Sequence, residues 1–95
     1  MSDPTLLVLS SLAQGDKHGY AMMEDIQGFA GVRLGAGTLY GAITRLEERG
    51  WIRPVRSSSR RQPYSITATG RRHLEEQLAA LNKVIDTGLR RLRPA

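Results

Sequence analysis

At 95 residues the chain is sized for one small domain, with a core too limited to be comfortable alone, and pairing with a second copy is a common remedy at that size. Fourteen Lys and Arg against nine Asp and Glu give a net charge of +5 and a pI near 10.4, an electrostatic footprint of nucleic-acid binding that membrane surfaces and acidic proteins share. The lack of cysteine excludes disulfides, thiol catalysis and cysteine–metal sites, and with no long apolar run or basic leader to mark a membrane span or signal peptide, a soluble, cytoplasmic protein without membrane contact is expected.

Asp3 and Pro4 mark the start of a first helix: Asp can cap the free amides, and Pro is favoured at the first helical position. The helix runs through Leu6, Leu7, Val8, Leu9, Leu12 and Ala13 to a stop at Gly15. It is apolar almost all round, which implies burial on one side by its own domain and on the other by a partner. A second helix begins near His18-Gly19-Tyr20 and ends at Gly31. Tyr20, Met23, Ile26 and Phe29 recur every third residue, with Met22 four before Ile26, and Glu24, Asp25 and Gln27 supply the wet side. Val32-Arg33-Leu34 has room for a single strand pairing. The third helix, residues 36–49, is closed by Gly50. Its Leu39, Ala42, Ile43 and Leu46 form one buried face. The opposite face carries Gly37, Gly41, Thr44 and Glu48, flanked by Tyr40, Thr38 and Arg45. A solvated face usually prefers Lys, Glu and Ala, so Gly and Thr there point to a surface that approaches something closely. A mediocre surface helix is the bland alternative.

A hairpin follows, in which residues 51–56 and 62–67 flank a polar tip at 57–61. Trp51, Ile52, Val55, Tyr64 and Ile66 have β character, and Pro54 and Pro63 confine their strands to sheet edges or strand starts. Arg53, Arg56, Arg60 and Arg61 make this wing basic. Charge in a loop is usually just solvated, but directly after a candidate reading helix it is placed to touch phosphate. Trp51 is expected in the core at the root of the wing. Thr67 then caps a last helix over residues 68–93, roughly 39 Å long. Leu74, Leu78, Leu81, Ile85 and Leu92 alternate steps of four and three, with Gly88 in the vacant place, as in a coiled-coil seam. A seam with no cover in its own chain implies a second chain; a solvated amphipathic tail is the alternative.

Mainly α with a small β-hairpin, in the order helix, helix, short strand, helix, wing, helix, is a winged helix-turn-helix followed by a long C-terminal dimerisation helix. In that layout the third helix enters the major groove and the wing tracks the neighbouring backbone. The chain resembles the PadR-type transcriptional regulators. The resemblance rests on His18-Gly19-Tyr20, on Gly37-Thr38-Leu39-Tyr40, on Leu46-Glu47-Glu48-Arg49-Gly50-Trp51-Ile52 and on Pro63-Tyr64-Ser65-Ile66-Thr67-Ala68-Thr69-Gly70, and covers residues 5 to 75. The short C-terminal part looks like the compact branch of that family, whose single final helix dimerises. The resemblance implies a homodimeric repressor binding a pseudo-palindromic operator in double-stranded DNA, often released by a small-molecule effector, here of unknown identity. Residues 1–67 would be the DNA-binding domain and 68–95 the dimerisation helix. Where the family usually has Ser-Pro before the Gly-Thr pair, this chain has Gly35-Ala36. Where Pro usually follows Leu-Tyr, it has Gly41, which costs about 1 kcal/mol against Ala and softens the helix. The last helix also lacks Phe, Tyr and Trp, so it cannot stack a flat effector as some relatives do.

The expected DNA contacts are Thr38, Tyr40, Gly41, Thr44, Arg45, Arg56, Arg60 and Arg61. Thr44 and Arg45 are the expected base readers, since Arg pairs with guanine and Thr meets a thymine methyl; a salt bridge to Glu48 is the alternative for Arg45. Tyr40 either gives its hydroxyl to a phosphate or packs against the second helix. The expected dimer contacts are Leu6, Leu9, Leu74, Leu78, Leu81, Ile85 and Leu92. His18 is read as a helix-start residue and His73 as a surface residue, with no metal site, no cofactor and no catalytic set between them. The rival reading is a winged-helix module that binds protein without DNA, for which a basic wing tip has no use.

Overall fold

In the computed structural model, which describes residues 3–94, the chain runs α1 (Pro4–Leu12), β1 (Lys17–His18), α2 (Gly19–Ala30), α3 (Ala36–Glu48), β2 (Ile52–Pro54), β3 (Pro63–Ile66) and α4 (Ala68–Leu92). The starts follow local chemistry. The Asp3 carboxylate accepts from the Thr5 amide at 3.0 Å, and Thr67 Oγ1 accepts from the Gly70 amide at 3.0 Å, so both helices satisfy an amide that would otherwise be orphaned. Gly31, at φ 66°, ends α2.

The core gathers Val8, Leu9 and Leu12 of α1, Met22 and Ile26 of α2, Leu39, Ala42, Ile43 and Leu46 of α3, Ile52 and Ile66 of the wing, and Leu74 at the base of α4. The sheet has the order β1-β3-β2, all antiparallel. Pro63 opens the central strand β3 opposite His18, a strand start where its missing N–H is tolerated. A small polar cluster fixes the turn into β1. Ser11 Oγ, fully buried, donates to Asp25 Oδ2 at 2.6 Å, and Lys17 Nζ donates to the Ser11 carbonyl at 2.6 Å. Lys17 also pairs with Asp25 at 3.8 Å.

Three details differ from the sequence reading. The short strand precedes α2 instead of following it. Residues 32–34 form no strand; Leu34 drops into the core and Val32 packs on its edge, so their alternation anchors a linker. The buried stripe of α2 is Gly19, Met22 and Ile26, while Tyr20 and Phe29 are 56% and 52% exposed. The third concerns the apolar surface of α1 and α4. Leu9 and Leu74, read as dimer contacts, are only 1% and 6% exposed. α1 packs against α2, α3 and α4 of its own chain, which uses up both side chains. Leu6 and Leu81 are half-buried, Leu78 is exposed, and beyond Leu81 α4 projects from the body with Val84, Ile85, Leu89 and Leu92 exposed. The chain consequently measures 59 × 26 × 20 Å.

The junction between wing and α4 is tight. Thr67 Oγ1 donates to the Gly50 carbonyl at 2.8 Å, and the Thr67 amide donates to the Trp51 carbonyl at 3.0 Å. A Cβ at Gly70 would collide with that same Trp51 carbonyl. Only glycine lets the first turn of α4 lie against the root of the wing.

Candidate nucleic-acid interface

α3 buries Leu39, Ala42, Ile43 and Leu46 and turns Gly37, Thr38, Tyr40, Thr44, Arg45 and Glu48 outward, with Gly41 half-buried among them. Its N-cap, Gly35, gives no side-chain hydrogen bond. Around Gly37 nothing lies within 4 Å of where a Cβ would stand, and around Gly41 only the end of Arg45 does, at 3.5 Å. The helix therefore presents a low ridge of backbone to the outside. Thr44 Oγ1 donates to the Tyr40 carbonyl at 2.9 Å. That uses its hydroxyl proton, so Thr44 offers an acceptor oxygen and a methyl group to whatever approaches.

Arg45 lies toward the other edge of this face. With Asp3, Thr5, Arg49, Trp51, His73 and Gln77 it lines a cleft of about 300 Å³. The Thr5 hydroxyl and amide hydrogen bonds, helped by the Arg45 charge and opposed by partial burial, hold the Asp3 carboxyl below the ordinary carboxylate range. Among the described residues Arg45 makes no ion pair with Glu48. His73 is a correction to the sequence reading: it is half-buried, its ring stacked on Trp51 at 3.7 Å between centroids and 14° from parallel. The Arg49 guanidinium carbon lies 5.2 Å from the centroid of the same indole.

Where the start of α2, the middle of α3 and the tip of the wing meet, a second cleft of about 360 Å³ opens, lined by His18, Gly19, Tyr20, Tyr40, Arg60, Arg61, Gln62 and Tyr64. Tyr40 is held against α2 because Gly19 has no side chain; a Cβ there would meet the tyrosine hydroxyl and ring. Packing against α2 and an exposed edge toward solvent thus coexist at Tyr40. The wing tip is folded by its own side chains: Ser57 Oγ accepts from the Ser59 amide, Ser59 Oγ accepts from the Arg61 amide, and Gln62 Nε2 donates to the Val55 and Pro63 carbonyls at 2.8 Å. These bonds bend Arg61 back over Tyr20, its guanidinium carbon 5.6 Å from the ring centroid. Burial, with Glu47 and Tyr40 nearby, raises the Tyr64 phenol above its ordinary value, so it remains a neutral donor.

His18 caps α2: its Nδ1 accepts from the Ala21 amide at 3.2 Å. Its Nε2 lies 3.5 Å from Arg61 Nη1. The structure therefore brings Tyr40, Arg60 and Arg61 into one cleft and leaves Thr38, Gly41 and Thr44 on the adjoining ridge. Arg45 stands at the α1 side of that ridge, and Arg56 is exposed on the segment leaving β2. Sequence reasoning missed Tyr20, Gln62 and Tyr64 as cleft residues, and the second nitrogen of His18. The His18-Gly19-Tyr20 run was the available signal, since it sits at a helix start beside a glycine that admits Tyr40.

The profile of the transcriptional regulator PadR-like family matches residues 8–76. An uncharacterised 37.1 kDa protein in a transposon of Streptomyces fradiae is 40% identical over 83 residues, which is 87% of this chain and 24% of that protein, so the chain spans about a quarter of that relative's length. A transcriptional regulator from Clostridium thermocellum superposes with a TM-score of 0.83 at 25% identity, over 95% of this chain and 90% of its own. A PadR family transcriptional regulator from Eggerthella lenta does so with a TM-score of 0.80 at 29% identity, over 96% and 82%.

Proposed function

This chain belongs to the PadR-like family of transcriptional regulators, and from that premise we propose that it is a homodimeric repressor that reads a pseudo-palindromic operator with α3 and grips the flanking backbone with its wing. Membership carries DNA-binding regulation; repression, dimerisation and the division of labour between residues 1–67 and 68–95 are the further steps of the proposal. The carrying observation is that Tyr40, Arg60 and Arg61 line one cleft with the start of α2, beside the glycine and threonine ridge of α3. That arrangement supports a duplex laid across α3 and the wing: base edges against Thr44 and Arg45, with Gly41 letting the helix approach closely, Thr38 and Tyr40 positioning the helix, and phosphates against Tyr40, Arg56, Arg60 and Arg61. The exposed row Leu78, Val84, Ile85, Leu89 and Leu92 on α4 supports pairing with a second copy, since a projecting apolar face of that length is costly to leave in water. Two reading helices so joined would stand about 34 Å apart, one helical turn of DNA.

The proposal puts the protein in the cytoplasm with the chromosome; no helix among the described residues is long and apolar enough to cross a membrane. Selection of bound duplexes from a random pool tests it. Enrichment of an inverted repeat with half-sites about one turn apart is the expected result. No enrichment at low salt, with the protein folded, would overturn DNA reading and leave a protein-binding winged helix.

A further inference from the structure

His18 is asked for two things that one imidazole cannot supply together. Capping α2 requires a lone pair on Nδ1, which receives the Ala21 N–H at 3.2 Å. A neutral ring with its lone pair on Nδ1 carries its proton on Nε2. The Nε2–H then faces Arg61 Nη1 at 3.5 Å, and a guanidinium has only donors. Two donors point toward one space with no acceptor between them. No acidic side chain lies within 4 Å of Arg61 among the described residues, and its other contact is the ring of Tyr20. Reversing the tautomer would satisfy Arg61 but would strip the α2 cap.

We infer that His18 and Arg61 together take one backbone phosphate of the bound duplex, with the Nε2–H of His18 and the guanidinium of Arg61 donating to its oxygens. The inference rests on the DNA-reading proposal above and adds a contact residue to it. A phosphodiester supplies the acceptor that this pair lacks, and it suits the cleft, whose other walls bring Tyr20, Tyr40 and Arg60 and no carboxylate. The cap makes His18 a pre-set donor: its ring is oriented and its tautomer chosen before DNA arrives. The contact also ties the wing to α2 across the phosphate, so a long, rotatable arginine is held by a histidine anchored on a helix.

The test uses His18→Asn and Arg61→Ala in the full chain, with duplexes carrying a single neutral methylphosphonate at successive positions. Asn is as good an N-cap as the chain can have there, so His18→Asn should unfold at the wild-type temperature. It should bind every sequence about a hundredfold more weakly, as expected for a dimer that loses one hydrogen bond to a charged group in each half-site. For the wild type, one backbone position per half-site should be costly to neutralise; at that position, and at no other, neutralisation should cost each variant less than it costs the wild type, because one of the two donors is already gone. If His18→Asn folds normally and binds as tightly as the wild type, or if its loss multiplies with phosphate neutralisation at every position, the shared contact is wrong while DNA reading stands. If the wild type itself binds no duplex, the regulator proposal fails first.

Discussion

The imidazole of His73 lies flat on the indole of Trp51, centroids 3.7 Å apart and planes 14° from parallel. One ring belongs to the root of the wing and the other to the base of α4, so the pair braces the two against each other. His73→Ala should cost about 0.5–1.5 kcal/mol beyond the area it uncovers, read as a lower denaturant midpoint, while His73→Phe should keep most of the stability. An unchanged midpoint for His73→Ala would mean that the stack contributes nothing.

The exposed row on α4 makes Ile85 a clean probe of association. It is 54% exposed in the single chain, so Ile85→Arg leaves the protomer's own core intact. In a dimer joined through α4 the same change buries an unpaired charge. Sedimentation at micromolar concentration should show a dimer for the wild type and a folded monomer for Ile85→Arg. A wild-type monomer would remove α4 as the dimer contact.

DNA affinity should fall steeply with salt. If a dimer neutralises roughly 6 to 10 phosphates, its affinity drops by about 10³ to 10⁵ between 50 and 200 mM salt. Replacing Arg60 and Arg61 with Ala should flatten the slope by about 0.9 for each phosphate that is no longer neutralised and leave the preferred sequence alone. A shifted preference with an unaltered slope would contradict a backbone role for these residues.

Arg45→Ala should relax the base preference at one position in each half-site, by about 1–3 kcal/mol for that base pair. Nonspecific binding should be largely intact. Equal weakening on all sequences would move Arg45 to the backbone and place the reading elsewhere on the α3 ridge.

The Asp3 cap carries a pH dependence whose sign is fixed by its lowered pKa. A carboxyl held below its ordinary value of 3.8 adds stability that is fully present above that value. The contribution is lost as pH falls through the lower, folded value. Asp3→Asn keeps a capping acceptor but cannot titrate. Wild type should therefore be more stable than Asp3→Asn at neutral pH, and the gap should close as the pH drops below about 4. Thermal unfolding from pH 7 to pH 2 checks this; a gap that stays constant would show that the charge on Asp3 is irrelevant to α1.

Elements set by local periodicity and caps were legible in the sequence. The face of α3 at Leu39, Ala42, Ile43 and Leu46, the Asp3 and Thr67 caps and the length of α4 all follow from neighbours within one or two turns. What needed distant partners was not. Lys17 and His18 form a strand only because Tyr64 and Pro63 arrive beside them, and two polar residues carry no strand signal of their own. Val32 and Leu34 alternate as a strand does, yet alternation equally describes a linker with two anchors. Leu9 and Leu74 look identical in sequence to the exposed leucines of α4, and only the packing of α1 on α4 separates them. At the candidate interface the α3 ridge was readable from one helix. The cleft was not, because it draws on α2, α3 and the wing at once.

The seam of hydrogen bonds at Thr67, with Gly70 pressed onto the Trp51 carbonyl, has a mechanical consequence. Since α4 starts flush against the residues that follow α3, its base is braced there, and a tilt of the projecting helix would be passed on to α3. Twenty-five residues span about 37 Å, and a tilt of about 5° over that length displaces one end by roughly 3 Å, close to the rise of one base pair. In the proposed pair joined through α4, the angle at which the two helices cross would therefore gauge the operator's spacer, and exposed side chains such as Leu89 and Leu92, far along α4, would set how many base pairs lie between the half-sites.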